Sequence, residues 1–373
     1  MKLDFLRPLY DEIGGYVSVY IDTDRIHENW AQALDLRWRA AREKLTAAGA
    51  SPATLDAVAQ VVTDRDLGAP GVAVFAREAT ITLTATLQAA PRRQIARLSA
   101  LPHLMPLLAQ QPPPVPHLRV NATRAGGEVL AIGGTGDWWR NWAASRDWPL
   151  HKTSVGGWSQ DRYQRSVEET WEENAKALAA EVTSAATAFG AQRVIVAGDV
   201  HARSLLLARL PKQLRESAVV VEEEVPADSQ LLASAADQAL SDAADRDVRD
   251  RFDGWQARLA HGQATEGLRA AMTALGDGQV LDMFIADDPS STATAWIGPA
   301  GHELAASPDE LRDLQVRDPV LDRADAALVR ALATTNADLH FLPADLVENG
   351  NPAACGGIAR PLDGVGATLR FTT

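Results

Sequence analysis

The chain has 373 residues, 46% apolar and 23% charged, with a formal net charge of −13. That length exceeds one ordinary core and points to two or three domains of ordinary soluble composition. Its single cysteine, Cys355, excludes an internal disulfide and a cysteine-built zinc site, and apolar runs such as Val194–Ala197 fall far below the ~20 residues of a membrane helix.

The acidity is uneven. Residues 1–110 carry 12 cationic against 12 anionic side chains, residues 111–222 carry 13 against 12, and residues 223–373 carry 11 against 25. The last third is therefore a poor partner for phosphate, while the first two thirds permit one. The start, MKLDFLRPLYDEIGGY, has early acids and no apolar stretch of signal-peptide length, so a cytoplasmic location is expected.

Tyr16–Asp22 is β-rich and reads as a strand. Trp30, Leu34, Trp38, Ala41 and Leu45 recur at three- and four-residue spacing, which predicts a helix over 28–48. A second helix is expected over 52–66. Val72–Phe75 and the alternating Ile81, Leu83, Ala85 and Leu87 read as paired strands. Four prolines between Pro112 and Pro116 then predict a stiff linker.

Beyond the linker, Leu118–Thr123 and Glu128–Ile132 read as a hairpin around Ala125-Gly126-Gly127. A polar and aromatic stretch, 133–165, leads to a helix expected over 166–189. Ser166 and Glu169 would form its capping box, and Val167, Trp171, Ala175, Leu178, Val182, Ala186 and Phe189 its apolar face. Short strands follow at Arg193–Ala197 and Ala218–Val221. The last third predicts a long alanine-rich helix over 229–260 and a helix capped by Thr265 that ends at Gly276. Strands at Val280–Ala286 and Thr294–Ile297, a helix over 319–335, and strands at Leu339–Leu342 and Ala367–Phe371 complete it. The fold class expected is α/β, as three consecutive small domains: 1–110, 111–225 and 226–373.

Metal and nucleotide chemistry finds little support. The eight histidines show no H-x-x-x-H spacing. Asp22 and Asp24 could hold Mg²⁺ but fit a turn with solvated acids, and Gly133-Gly134-Thr135-Gly136 lacks the G-K-[ST] ending of a phosphate loop. No metal or cofactor is expected. Six of the ten tryptophans fall within 138–171, interleaved with Arg140, Arg146, Lys152, Arg162 and Arg165. Aromatic faces can stack on unpaired bases while cations reach phosphates; the same tryptophans could instead pack onto the sheet.

Three stretches resemble the eukaryotic and archaeal class-1 peptide-chain release factor superfamily. Leu362–Phe371 is similar to the G-[IV]-G-x-x-L-R-[YF] strand closing that family's last domain. Glu266–Leu275 followed by Gly278–Asp282 resembles the entry to the same domain. Gly156-Gly157-Trp158-Ser159-Gln160-Asp161-Arg162-Tyr163-Gln164-Arg165 resembles its Gly-Gly-Gln loop and R-[FY]-x-R continuation. Trp158 and Ser159 separate Gly157 from Gln160, so the catalytic tripeptide is broken. Neither the N-I-K-S nor the Y-x-C-x-x-x-F stop-codon signature is present in the first third. This pattern looks like the bacterial, particularly actinobacterial, branch, which includes ribosome-hibernation factors.

The resemblance implies a protein that binds ribosomal RNA and tRNA in the ribosomal A site, with elongation factor Tu as a co-partner, and neither DNA nor a membrane. It implies no catalytic residue, a degenerate loop of Gly156, Gly157 and Gln160, and RNA contacts from Lys152, Trp158, Arg162 and Arg165. A peptidyl-tRNA hydrolase using a repositioned Gln160, and a stress adaptor binding only proteins, are the alternative readings.

Overall fold

The computed structural model describes residues 1–26, 28–64, 68–110, 115–133, 138–144, 160–191, 193–288, 290–343 and 360–371. A 3₁₀ turn, Asp4–Tyr10, opens the chain. β1 (Tyr16–Asp22), α1 (Trp30–Ala47), α2 (Pro52–Val62), β2 (Gly71–Arg77), β3 (Thr80–Leu87), β4 (Ile95–Ser99) and α3 (Met105–Gln110) follow. Next come β5 (His117–Thr123), β6 (Gly126–Ile132), β7 (Trp138–Ala143), α4 (Gln160–Phe189), β8 (Arg193–Gly198), α5 (Val200–Arg209), α6 (Lys212–Glu216), β9 (Ala218–Val220) and α7 (Gln230–Leu259). The remainder is β10 (Ala264–Glu266), α8 (Leu268–Gly276), β11 (Val280–Ile285), β12 (Thr294–Ile297), β13 (Leu304–Ala305), α9 (Pro308–Asp313), β14 (Val320–Arg323), α10 (Ala324–Thr335), β15 (Asp338–Phe341) and β16 (Val365–Leu369). This is the mixed α/β chain expected from sequence. No helix among the described residues is long and apolar enough to cross a membrane.

Two compact units emerge. One joins Met1–Pro112 to Val248–Thr373, and the other is Pro113–Asp247. In the discontinuous unit, one antiparallel sheet runs β3-β2-β1-β4. β1 is buried almost throughout because both of its faces are covered. On one face Val17, Val19, Ile21, Val72 and Val74 pack under Leu34, Trp38 and Leu45 of α1 and Leu55, Val58 and Val62 of α2. Ser51 starts α2 by accepting from the Thr54 amide at 3.2 Å, with Pro52 in the first helical position.

The other face belongs to a core shared with the C-terminal segment. Tyr20, Phe75, Leu101 and Leu104 pack with Met272, Leu275, Leu328 and Leu332. α10 is buried from Ala324 to Ala333, and its alanines let neighbouring elements approach closely. The C-terminal segment adds a mixed sheet, β10-β16-β11-β15, in which β11 and β15 are parallel, and a small antiparallel sheet, β13-β12-β14.

Polar contacts tie the two segments together. The Asp322 carboxylate accepts from the Leu101 amide at 2.8 Å and from Arg97 at 3.2 Å. Asp325 meets His103 Nε2 at 3.3 Å and accepts twice from Arg323 Nε, at 2.9 and 3.0 Å. Burial opposes the charge on Asp325, yet His103 and Arg323 outweigh it and hold the carboxyl well below the usual carboxylate range. A carboxyl depressed in the folded state contributes stability that is complete above its unfolded pKa, ~3.9, and is lost as pH falls through the folded value. Denaturant midpoints at pH 5 and pH 3 should therefore differ less in Asp325→Asn than in the parent. An equal acid-induced fall in both proteins would exclude this role for Asp325.

The middle unit is a five-stranded sheet, β7-β6-β5-β8-β9, with β5, β8 and β9 mutually parallel and β6 and β7 antiparallel additions. α4 lays Leu178, Val182 and Ala186 on one face beside Leu206 of α5. α7 covers part of the other face, where Leu232 and Ala236 meet Ile195 and Ala197.

Three expected boundaries move. α4 begins at Gln160, so Ser166 lies six residues inside it and not at its N-terminus; Gln160–Arg165 contains two arginines and two glutamines, which continue a helix readily. Thr265 sits in β10, and Gly267, at φ +87°, precedes α8 instead. Residues 320–323 form β14 and not the first turn of α10, because they pair with Thr294–Ile297.

Candidate functional site

Among the described residues β7 is the outermost strand of the middle sheet and pairs only with β6. Successive strand side chains alternate between faces. Ala143 joins the core under α4, and Trp139 packs on Phe189 with ring centroids 6.3 Å apart. Trp138, Arg140 and Trp142 consequently share the opposite face. Trp138 is 71% exposed and Trp142 53%. Arg140, between them, is held by Glu128 and by Asp228 at 2.7 Å. The hydrogen bond that Arg140 donates to the Glu128 carboxylate pushes the guanidinium up from its ordinary value. Glu128 is itself fixed by the Ala227 amide at 2.9 Å. The stripe thus offers two aromatic faces and a cation already neutralised by its neighbours. Arg140, with both carboxylates engaged, is ill suited to a phosphate contact.

A second polar cluster lies at the carboxyl ends of the parallel neighbours β5 and β8. Gly198 turns the chain at φ +110°, and a Cβ there would lie 2.0 Å from the Ala122 carbonyl oxygen, so only glycine fits. Asp199 then caps α5, accepting from the His201 and Ala202 amides at 3.0 Å each. Its partial burial disfavours charge, but the Ala202 amide and Arg124 prevail and lower its pKa. Arg124 pairs with Asp199 at 3.1 Å and lies 4.6 Å from the Trp171 ring, whose other neighbour is His201 at 5.5 Å. The buried Asn174 amide holds the Arg124 carbonyl at 3.2 Å. A cavity of about 450 Å³ opens beside this cluster, lined by Asn121, Thr123, Arg124, Asp199 and Glu224. Arg124, Asp199 and His201 form a bound network with no nucleophile poised against a base.

Gly156, Gly157, Trp158 and Lys152 lie outside the described residues. Gln160 is the first residue of α4, and Arg162 and Arg165 follow in its opening turns, three residues apart. Asp22 pairs with Arg37 at 2.8 Å and accepts from the Asp24 amide at 2.9 Å, which is a turn and not a cation site. Among the described residues no group of three or more ligating side chains could hold a metal ion.

The tryptophan stripe was visible in the sequence as an aromatic cluster. The Arg124–Trp171–His201 network was not, since its members lie on three separate elements. Its one local signal is Asp199, directly after an apolar strand and two residues before His201.

Residues 116–261 match the model of the bacterial archaeo-eukaryotic release factor family 2. The middle segment therefore matches the bacterial branch that its Gly156–Arg165 stretch resembles. The uncharacterized protein Rv2629 of Mycobacterium tuberculosis is 28% identical over 395 aligned positions, covering 100% of this chain and 97% of that protein. Among solved structures, the archaeal translation termination factor aRF1 aligns at 15% identity with a TM-score of 0.22, covering 99% of this chain and 96% of that one. Pelota of Archaeoglobus fulgidus aligns at 12% identity with a TM-score of 0.35, covering 99% and 92%.

Proposed function

We propose that this chain is a non-catalytic, release-factor-like protein that binds the ribosome and occupies the A site of idle or stressed ribosomes. The observation that carries the reading is the match of residues 116–261 to a release-factor family, over a segment whose Gly-Gly-Gln-type loop is interrupted by Trp158 and Ser159. Adjacent glycines free the backbone for close approach, but Gln160 stands at the head of α4, two residues removed from them. In this reading Gln160 does not align a water. In this reading the first segment faces the decoding centre and the middle loop faces the peptidyl-transferase centre. Lys152, Arg162 and Arg165 meet rRNA or tRNA phosphates, and Trp158 stacks on a base. The acidic last third faces a protein, for which elongation factor Tu is the candidate.

Ribosome co-sedimentation of extracts from growing and starved cultures tests the proposal. The chain should pellet with ribosomes, more so after starvation, and leave them as salt rises. A chain that stays in the supernatant at every salt concentration is not a ribosome-binding factor. Peptidyl-tRNA hydrolysis by the purified chain should be at background, and Gln160→Ala should change nothing. Activity in the parent that this substitution removes would establish the enzyme instead.

A further inference from the structure

Among the described residues β4 ends its sheet: β1 pairs with it on one side and no described strand takes the other. Beside it, within the discontinuous unit, lies a cleft of about 860 Å³, well within the range of binding sites. Eight consecutive residues, Pro91 to Leu98, line it. A strand that turned a face to the cleft would contribute only alternate residues. Consecutive lining residues mean that the backbone edge itself forms the wall. The remaining walls agree with this. Lys44 of α1 and Ala48, which caps it, lie on one face of the sheet, whereas Leu268, Ile285 and Leu328 come from the C-terminal segment on the other. The cleft straddles the sheet edge-on.

Among the described residues, the backbone of 94–98 makes hydrogen bonds only within its ladder with β1. An open edge of this kind is a template for another strand. Two further groups at the cleft lack partners: Arg97 Nε and His103 Nδ1 are both buried and unbonded. The two sides of the cleft differ in chemistry. Lys44, exposed on α1, has no carboxylate partner among the described residues, while the opposite side sets Leu268, Ile285, Leu328 and Val365 among Asp287, Asp288, Asp325 and Asp363. Five cationic side chains line the cleft against four carboxylates, and Arg92, Arg97 and Arg323 are already paired with Asp287, Asp322 and Asp325.

We propose that this cleft takes an extended peptide segment of a partner protein, added to β4 as a fifth strand. Alternation along the added strand sends acidic side chains toward Lys44 and apolar ones toward Ile285 and Leu328. This reading is independent of ribosome binding.

Hydrogen exchange of the full chain tests it, with an end-capped heptapeptide of alternating glutamate and valine as the probe. The peptide should slow exchange of the 94–98 amides in a saturable way. The same peptide N-methylated at alternate amides should not, because it cannot complete the ladder. Lys44→Glu, on an exposed helix position, should weaken the concentration dependence about fivefold while keeping its unfolding midpoint. Failure of the peptide to slow these amides, equal protection by the N-methylated peptide, or an unchanged concentration dependence in Lys44→Glu would each overturn the proposal. So would protection by ADP in place of the peptide, which would make the cleft a nucleotide site.

Discussion

Asp322→Ala should lower the stability of the discontinuous unit by about 2–4 kcal/mol, the cost of removing one partner of a buried polar network. Asp322 is 3% exposed and serves three donors: Arg97, the Leu101 amide and the Arg323 amide. Alanine leaves the buried Leu101 N–H without an acceptor. Arg97, partly exposed, can turn toward water and recover some of its loss. Asp322→Asn keeps an acceptor for Leu101 and should cost less than half as much. The measurement is the denaturant midpoint at constant slope, since a changed slope would mean a changed denatured state. If both variants unfold with the parent, the carboxylate does not join the two segments.

Replacing both Trp138 and Trp142 by alanine should lower ribosome affinity by at least about tenfold, because stacking contributes about 1–3 kcal/mol per base. The thermal midpoint should barely move, since neither ring enters the core. Trp139→Ala makes the internal control. Its ring packs on Phe189, so it should destabilise the middle unit first and affect binding only through that loss. Co-sedimentation of the double variant at the parent's level would remove the stripe from the interface.

The strands most legible in the sequence are those buried on both faces. Tyr16–Asp22 and Arg193–Ala197 are apolar runs too short for a helix, and both form central strands. The α4 face was legible for the same reason, as Leu178, Val182 and Ala186 recur at helical spacing and all reach the core. β7 was harder to see. Arg140 and Asn141 break the apolar alternation, and the strand is an edge stabilised by β6 and α4, not by its own pattern. The capping box at Ser166 failed because a local signal yields when the preceding residues also favour helix. What sequence could not show is long-range. The core joining Tyr20 to Leu332, and the cleft beside β4, exist only once residues some three hundred positions apart are brought together.

That separation also sets an order of manufacture. The middle unit, 113–247, is complete in sequence as soon as its last residue has been synthesised, so it can fold while the rest of the chain is still being made. The discontinuous unit cannot. Its first sheet must wait, with Tyr20, Phe75, Leu101 and Leu104 lacking their cover, until α8 and α10 arrive. The inner position of the second sheet is filled by β16, the last strand of the chain, between β10 and β11. A message cut short before residue 365 would yield a well-formed middle unit attached to an unfinished, apolar surface. Such a product should be more prone to aggregation or proteolysis than the 373-residue chain.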